Sequence, residues 1–343
     1  MNGVKQMAEI VGLTQGTDVP STRFRWAQYF DDFEKGGLKV FELQSRFGAY
    51  PPVGNLRRSV WLGAAIADGL SRTIKSNRYS LRFLQRNLIS TLCTWEPLMR
   101  KPYVLDVDDA IFLGPRGSNA DRIARSASLV ICGNAYLADH FSAINSIVVV
   151  PTAVDTQRYK PILPSLKKQQ QVIGWSGSSS GLKYLYSIES ALVLLFLKYP
   201  ELIIKVICDK PPEFKKLPTN RVVFEKWTIA REISSLNEFS IGIMPLEDDL
   251  WCRGKCSFKM LTYMAIGIPV VVSPVGMNAE ILAQAECGFG ARNIDEWVDA
   301  ISCLIADTTL AESMGLKGRS LVESCYSKNI IGPNLTKILK SQL

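Results

Sequence analysis

Lys255 and Lys259 lie four residues apart in the most informative stretch of this 343-residue chain, WCRGKCSFKMLTYMAIGIPVVVSPVGMNAEIL (251–282). That spacing puts both cations on one side of a helix entrance. Ser257 is the candidate N-cap, Gly267 the stop, and Pro269 leads into the next strand. Basic side chains ordinarily favour the C-terminal end of a helix, so two of them at an N-terminus suit an anion, and a diphosphate fits such a clamp. The bland alternative is a pair of solvated lysines. Phe258, Leu261, Met264 and Ala265 repeat at the spacing of a buried helical face. Further on, Gly276 permits close approach by a ligand, and Met277 and Asn278 beside it offer backbone donors. Glu280, in the first turn of the next helix, suits either the helix dipole or a sugar contact.

A second loop, IGWSGSSSGLKYL (173–185), ends a strand at Trp175 and enters a helix through small residues that let the backbone reach phosphate oxygens. A purely structural Ser/Gly turn is the alternative. The glycine spacing is not the dinucleotide fingerprint, and no acidic residue is expected to close the following strand at the usual distance.

These loops need strands and helices to aim them. Short β-branched runs recur at LKVFEL (38–43), YVLDV (103–107), SLVICG (128–133) and SIVVVPT (146–152). They resume at QVIGWSG (171–177), LIIKVIC (202–208), RVVFEKW (221–227), IGIMPL (241–246) and IPVVVS (268–273), with helical stretches between. Strands alternating with helices predict parallel, doubly wound α/β sheets, whose ligands bind beyond the carboxyl ends of the strands. The stretch DTQRYKPILPSLKKQQ (155–170) breaks the pattern and reads as a linker. The expected organisation is a first α/β domain over 1–155, a linker at 156–170, a second α/β domain over 171–325, and a C-terminal helix over 326–343 returning toward the first domain.

Composition agrees with a globular chain: 47% hydrophobic, 21% charged, net charge +8. No run of eighteen apolar residues and no signal-peptide layout is present, so a cytosolic location is expected. The eight cysteines follow no secreted-type framework. Cys252 and Cys256, close but without a His or a second pair nearby, do not make a zinc site. The excess positive charge is local: Arg57, Arg58, Arg72, Lys75, Arg78, Arg82, Arg86 and Arg100 stand against only Asp68 and Glu96. An anionic partner or a solvated basic face would each account for it, and no nucleic-acid-binding module accompanies it.

At these residues the chain resembles the GT-B glycosyltransferases of family 4, in the bacterial branch that builds surface polysaccharides such as lipopolysaccharide. The segments that carry the likeness are STRFRWAQYFDDFEKGGLKV (21–40), LQRN (84–87), YVLDVDDAIF (103–112), ICGNAYLADHF (131–141), VVVPTAVDTQRY (148–159), GWSGSSSGLKYL and RGKCSFKMLTYMAIGIPVVVSPVGMNAEI. The resemblance implies two facing Rossmann-like domains with parallel sheets, the second holding a nucleotide-sugar and the first an acceptor. It also implies retention of anomeric configuration, with neither cofactor nor metal. Gly177 and Ser178 would then approach the donor diphosphate, Lys255 and Lys259 would neutralise it, and Gly276 would lie beside the sugar.

The sequence departs from the family pattern in three places. An Arg and a Lys common in the first phosphate loop are replaced by Trp175 and Ser180, which leaves Lys183, Arg253, Lys255 and Lys259 to supply the charge. A glutamate pair is replaced near Gly254 and at Thr262, the latter in the place of a ribose ligand. A histidine after the strand YVLDVDDAIF is replaced by Asp108 and Asp109, which could bind the acceptor hydroxyl, stabilise a cationic sugar or act as a base, or could simply cap the next segment. The sole histidine, His140, sits in a helix and is expected to pack there. Arg23, Arg25 and, more weakly, Arg86 are acceptor-side candidates. The basic 57–100 stretch, with Trp61 and Leu62, would approach an anionic inner membrane and a polyprenyl-diphosphate-linked glycan.

The reading is therefore a hexose-type glycosyltransferase using a UDP- or GDP-sugar at the cytoplasmic membrane face. A sugar-nucleotide epimerase on the same architecture, or a catalytically decayed partner subunit, are the alternatives.

Overall fold

The computed structural model describes residues 7–16, 19–48, 51–114, 116–162 and 171–343. The end of the expected linker, 163–170, lies outside them. The chain divides into two compact units, with the first break between Ala153 and Val154. Unit 1 comprises Met1–Ala153 with Gly254–Cys256 and Lys328–Leu343, and unit 2 comprises Val154–Arg253 and Ser257–Ser327.

Unit 1 is built on a six-stranded parallel sheet of β1 (Ala8–Thr14), β2 (Leu38–Gln44), β3 (Leu81–Gln85), β4 (Tyr103–Val107), β5 (Leu129–Cys132) and β6 (Ile147–Val149). Their order is β2-β1-β3-β4-β5-β6, so the chain changes direction across the sheet between β1 and β3. The helices are α1 (Pro20–Arg25), α2 (Phe30–Lys35), α3 (Asn55–Ser76), α4 (Ser118–Ser126) and α5 (Ala135–Ser142). Strands β3, β4 and β5 are buried along their whole length, as parallel strands covered on both faces must be. On one face Trp26 stacks on Phe83 at 4.7 Å and packs against Phe33. The C-terminal helix, numbered α14 below, adds Ile331, Leu335 and Leu339 to this same core.

Unit 2 has six parallel strands, β7 (Val172–Ser176), β8 (Ile203–Cys208), β9 (Val222–Lys226), β10 (Ile241–Met244), β11 (Val270–Val272) and β12 (Gly288–Gly290), ordered β12-β11-β10-β7-β8-β9. Its helices are α6 (Leu182–Ser187), α7 (Glu189–Lys198), α8 (Glu232–Leu236), α9 (Leu250–Arg253), α10 (Phe258–Ala265), α11 (Met277–Gln284), α12 (Ile294–Ala306) and α13 (Thr308–Leu321); α14 (Lys328–Lys340) follows and belongs to unit 1. This is the doubly wound Rossmann order, with the switch point between β7 and β10. Leu185, Leu192 and Leu195 from α6 and α7 meet Ile204, Ile243 and Val271 from the strands and Ile301 from α12 in its core. Among the described residues no single helix is long and apolar enough to cross a membrane.

The strand runs legible in the sequence all form strands. Three more were missed: β1, near the chain start; β3, whose Arg82 interrupts an apolar run; and β12, only three residues long.

Candidate functional site

In unit 2 the Gly/Ser loop follows β7 directly at the switch point, the place where an open parallel sheet accepts ligands. Its main chain is more committed than the sequence suggests. The Gly177 N–H donates to Ile207 O at 3.0 Å and extends the ladder, so this group does not face a phosphate. The Gly181 N–H donates to Ser178 O at 2.8 Å. The Ser179 N–H and Oγ both donate to the Asp209 carboxylate, at 2.6 and 2.8 Å. Burial alone would raise the Asp209 pKa, but the two Ser179 bonds reverse that and hold it below its usual value. An acidic residue does follow the second strand, farther along than the dinucleotide fingerprint places it. It escaped notice because two helices, α6 and α7, separate it from the loop, and it fixes the loop's shape. Ser178 Oγ and Ser180 Oγ lie 2.8 Å apart on the exposed side.

Charge reaches this loop through Lys259. Its Nζ stands 4.4 Å from the centroid of the buried Trp175 ring, and a Cβ added at Gly177 would come within 2.7 Å of that nitrogen. Lys259 is in the first turn of α10, which has no acidic residue there. Ser257 occupies the N-cap position, yet its side chain makes no cap. Its backbone is left-handed (φ 49°), and its Oγ donates to Asn278 Oδ1 at 2.7 Å. Asn278 Nδ2 donates to Ser273 O at 3.0 Å. Asn278, completely buried, is thus a brace between two loops rather than a sugar reader, and Met277 is buried beside it.

Gly276 is needed for a reason internal to the protein. Its φ is +53°, and a Cβ would meet Arg253 O at 2.7 Å. Thr262, in the ribose position, is buried and donates to Lys259 O within its own helix at 2.7 Å, which corrects its assignment to the donor. Phe258 is only half-buried, whereas Met260 and Tyr263 join the covered face. The Tyr263 hydroxyl accepts the Ser176 N–H at 2.8 Å and ties α10 to the end of β7. Lys183 is exposed on α6, its Nζ 4.6 Å from the Tyr184 ring. Arg253 is exposed and donates to Asp248 at 2.8 Å.

Lys255 does not share the surroundings of Lys259. It belongs to the short segment Gly254–Cys256 that groups with unit 1, where Lys255 O accepts from Asn134 Nδ2 at 3.1 Å and Cys256 Sγ donates to Asp108 O at 3.2 Å. Helix α10 begins at Phe258, after Ser257, so Lys255 precedes the helix and Lys259 lies in its first turn, and the positive charge of Lys255 lowers the Asp109 pKa against the larger effect of burial.

The ligand edge of unit 1 carries a compact set of charges at the ends of β3 and β4. Arg86, with a left-handed backbone (φ 56°), donates through Nε to Asp108 Oδ1, and through Nη2 to Asp109 Oδ2 at 2.7 Å and Ser21 Oγ at 3.0 Å. Burial pushes both carboxyls up. For Asp108 the Arg86 guanidinium, aided by Arg25 and the Ser21 hydroxyl, wins and takes it below its ordinary value. Asp109 shares Arg86 but also faces the negative Asp108, and it stays above its ordinary value. Two adjacent carboxyls with pKa values driven apart suit one permanently charged and one proton-accepting role.

Arg25 is not an acceptor-side cation. It is 3% exposed, paired with Asp106 (1% exposed), and donates to Val150 O at 2.6 Å. Burial would lower its pKa, but Asp106 outweighs that and raises it, so the guanidinium stays charged. Sequence reading missed Asp106 because it lies inside an apolar strand. Arg23 is half-buried, its guanidinium 5.3 Å from the Phe24 ring. His140 stacks face to face on Phe112 at 3.6 Å and bonds Asp121 at 2.7 Å. Arg72 and Arg82 are buried, so they add nothing to a basic surface.

Residues 173–307 match the family described as Glycosyl transferases group 1. No curated protein sequence is a significant match. Among solved structures, sucrose-phosphate synthase from Thermosynechococcus elongatus aligns with TM-score 0.72 at 12% identity, over 97% of this chain and 98% of that one. HepE from Anabaena, solved with UDP-glucose, aligns with TM-score 0.71 at 16% identity, over 97% and 100%. WaaG, a glycosyltransferase involved in lipopolysaccharide biosynthesis, gives 0.67 at 13% identity, over 96% and 99%. The sheet orders, the loop at the β7 switch point and these alignments agree on the GT-B fold, within which residues 173–307 carry the likeness to the group 1 glycosyl transferases.

Proposed function

We propose that this enzyme is a retaining transferase that moves a hexose-type sugar from a UDP-sugar to a lipid-linked surface-polysaccharide acceptor at the inner face of the cell membrane. The observation that carries the donor assignment is the Lys259 ammonium lying against the Gly177–Gly181 loop at the switch point of unit 2. With three loop N–H groups bonded inside the protein, the Lys259 ammonium and the Ser178 and Ser180 hydroxyls are the groups that meet the diphosphate. As the glycosidic bond to the diphosphate breaks, negative charge grows on its oxygens, and a cation already in place stabilises it. UDP is preferred over GDP in this reading because HepE, similar in fold, has been solved with UDP and with UDP-glucose.

Unit 1 takes the acceptor. Asp109, its pKa held up, orients the acceptor hydroxyl and draws on its proton, while Asp108 stays ionised against Arg86. In a retaining transfer the new bond forms on the face from which the diphosphate departs. Membrane contact is assigned to the start of α3, where the apolar Val53, Leu56 and Val60 are 95%, 80% and 68% exposed beside the exposed Arg57 and Arg58. Apolar side chains interleaved with cations suit an anionic bilayer surface.

Calorimetry with UDP and GDP tests the donor. UDP should bind at least tenfold more tightly, and equal or reversed affinities would overturn the base assignment. Lys259→Gln should weaken UDP binding by about thirtyfold, as loss of a charge-assisted contact implies. Flotation with anionic and neutral vesicles tests the α3 surface, since binding should require anionic lipid and be lost in Arg57→Glu/Arg58→Glu.

A further inference from the structure

Trp175 is the largest side chain at the ligand end of β7, and it is 1% exposed. A buried indole in the first strand of a doubly wound sheet has an ordinary packing role, and part of this ring does serve it, within the main core of unit 2. The outer face of the ring has a further neighbour. Lys259 Nζ stands 4.4 Å from its centroid. The loop closes over the same spot: a Cβ at Gly177 would fall 2.7 Å from Nζ and 2.8 Å from Trp175 Cη2, and one at Gly181 would fall 3.2 Å from Trp175 Cζ2 and 3.4 Å from Nζ. Ammonium, indole and two glycines therefore form a single contact set, in which a side chain at Gly177 would displace the cation or the ring and one at Gly181 would press on both.

The physical consequence concerns how a flexible cation is kept ready for an anion. A lysine head on a four-carbon stem loses considerable rotamer freedom when it is fixed. An aromatic face attracts an ammonium through its quadrupole while carrying no net charge. Such a face orients Lys259 without itself neutralising the ammonium.

We propose that Trp175 is a positioning residue for donor binding: its indole holds the Lys259 ammonium at the Gly177–Gly181 loop, where it meets the donor diphosphate. The role rests on the assignment of that loop to the diphosphate. Trp175 itself need not touch the donor.

A double-mutant cycle on UDP affinity, measured by calorimetry with thermal melts to fix the folded fraction, tests this. Trp175→Leu should weaken UDP binding by about tenfold in the parent and by less than about twofold when Lys259 is already Gln, because the ring acts only through the ammonium. Trp175→Phe, which keeps an aromatic face, should restore most of the affinity, to within about threefold of the parent. An equal penalty for Trp175→Leu with and without Lys259 would overturn the positioning role and leave the lysine's own role standing. UDP binding unchanged in Lys259→Gln would instead remove the diphosphate assignment, and the positioning role with it. Should Trp175→Leu fail to fold, the same cycle run with Trp175→Phe carries the test, with coupling expected to vanish in the Lys259→Gln background.

Discussion

The ligand edges of the two sheets solve the problem of placing charge in opposite ways. In unit 1 three cations are matched by carboxylate: Arg25 with Asp106, Arg72 with Asp68, and Arg86 with both Asp108 and Asp109. In unit 2 Lys259 is set over the Trp175 indole beside the loop, and the Asp209 carboxylate is turned to the Ser179 backbone and hydroxyl. Charge held by charge is rigid and already compensated, which suits orienting a neutral hydroxyl. A ring orients a cation without carrying a net charge of its own. The difference is the electrostatic argument for the proposed placing of the acceptor at unit 1 and the donor at unit 2.

The largest expected effect breaks the paired side. Arg25→Leu strands the buried Asp106 carboxylate and should cost about 3–5 kcal/mol in denaturant unfolding. UDP affinity, referred to folded protein, should not change. A loss of UDP affinity as large as that of Lys259→Gln would mean that the two edges are not separate in function.

Next is Asp109→Asn, expected to lower turnover by about a hundredfold, or roughly 2.7 kcal/mol of barrier. The sign of its effect on stability should be the reverse of most active-site losses. The Asp109 pKa is raised in the fold, so its carboxyl is favoured there only when protonated. That contribution fades as pH climbs from about 3.9, the unfolded value, through the higher folded one. At neutral pH the uncharged Asn should therefore melt no lower than the parent. The acid limb of the kcat/KM profile should lie above the ordinary carboxylate range in the parent and disappear in the variant. A limb that persists unchanged would exclude Asp109 as the titrating group.

A smaller effect sharpens the other side. Asp209→Asn weakens the bonds that shape the Gly/Ser loop, and a cost of about 1 kcal/mol should appear as a roughly fivefold rise in donor KM with kcat little altered. Smallest of all is Thr262→Val, whose hydroxyl faces its own helix. Donor KM should stay within about twofold, and a larger change would return this residue to the donor site.

Much of the frame was legible before any coordinates. Strands such as YVLDV and IPVVVS announce themselves by β-branched runs bounded by turn residues. The Gly267 stop and Pro269 restart were visible because backbone conformation at those residues is a local matter. Side-chain partners were legible only where they are local. Arg25 looked like a free cation because its partner is 81 residues away in sequence. Asn278 entered the sequence reading only as a backbone donor, because Ser257 and Ser273, the partners of its side chain, are brought to it only by packing.

The sequence by itself determined the alternation of strand and helix, the two-part organisation and the loops that end strands with small residues, because each follows from hydrophobic period and turn chemistry within a few residues. Tertiary structure alone decided what surrounds each charge. It committed the Gly177 N–H to the sheet, gave Lys255 to Asp109 and set Lys259 on Trp175. The worth of a charge depends on what surrounds it, and those surroundings come from parts of the chain far apart in sequence.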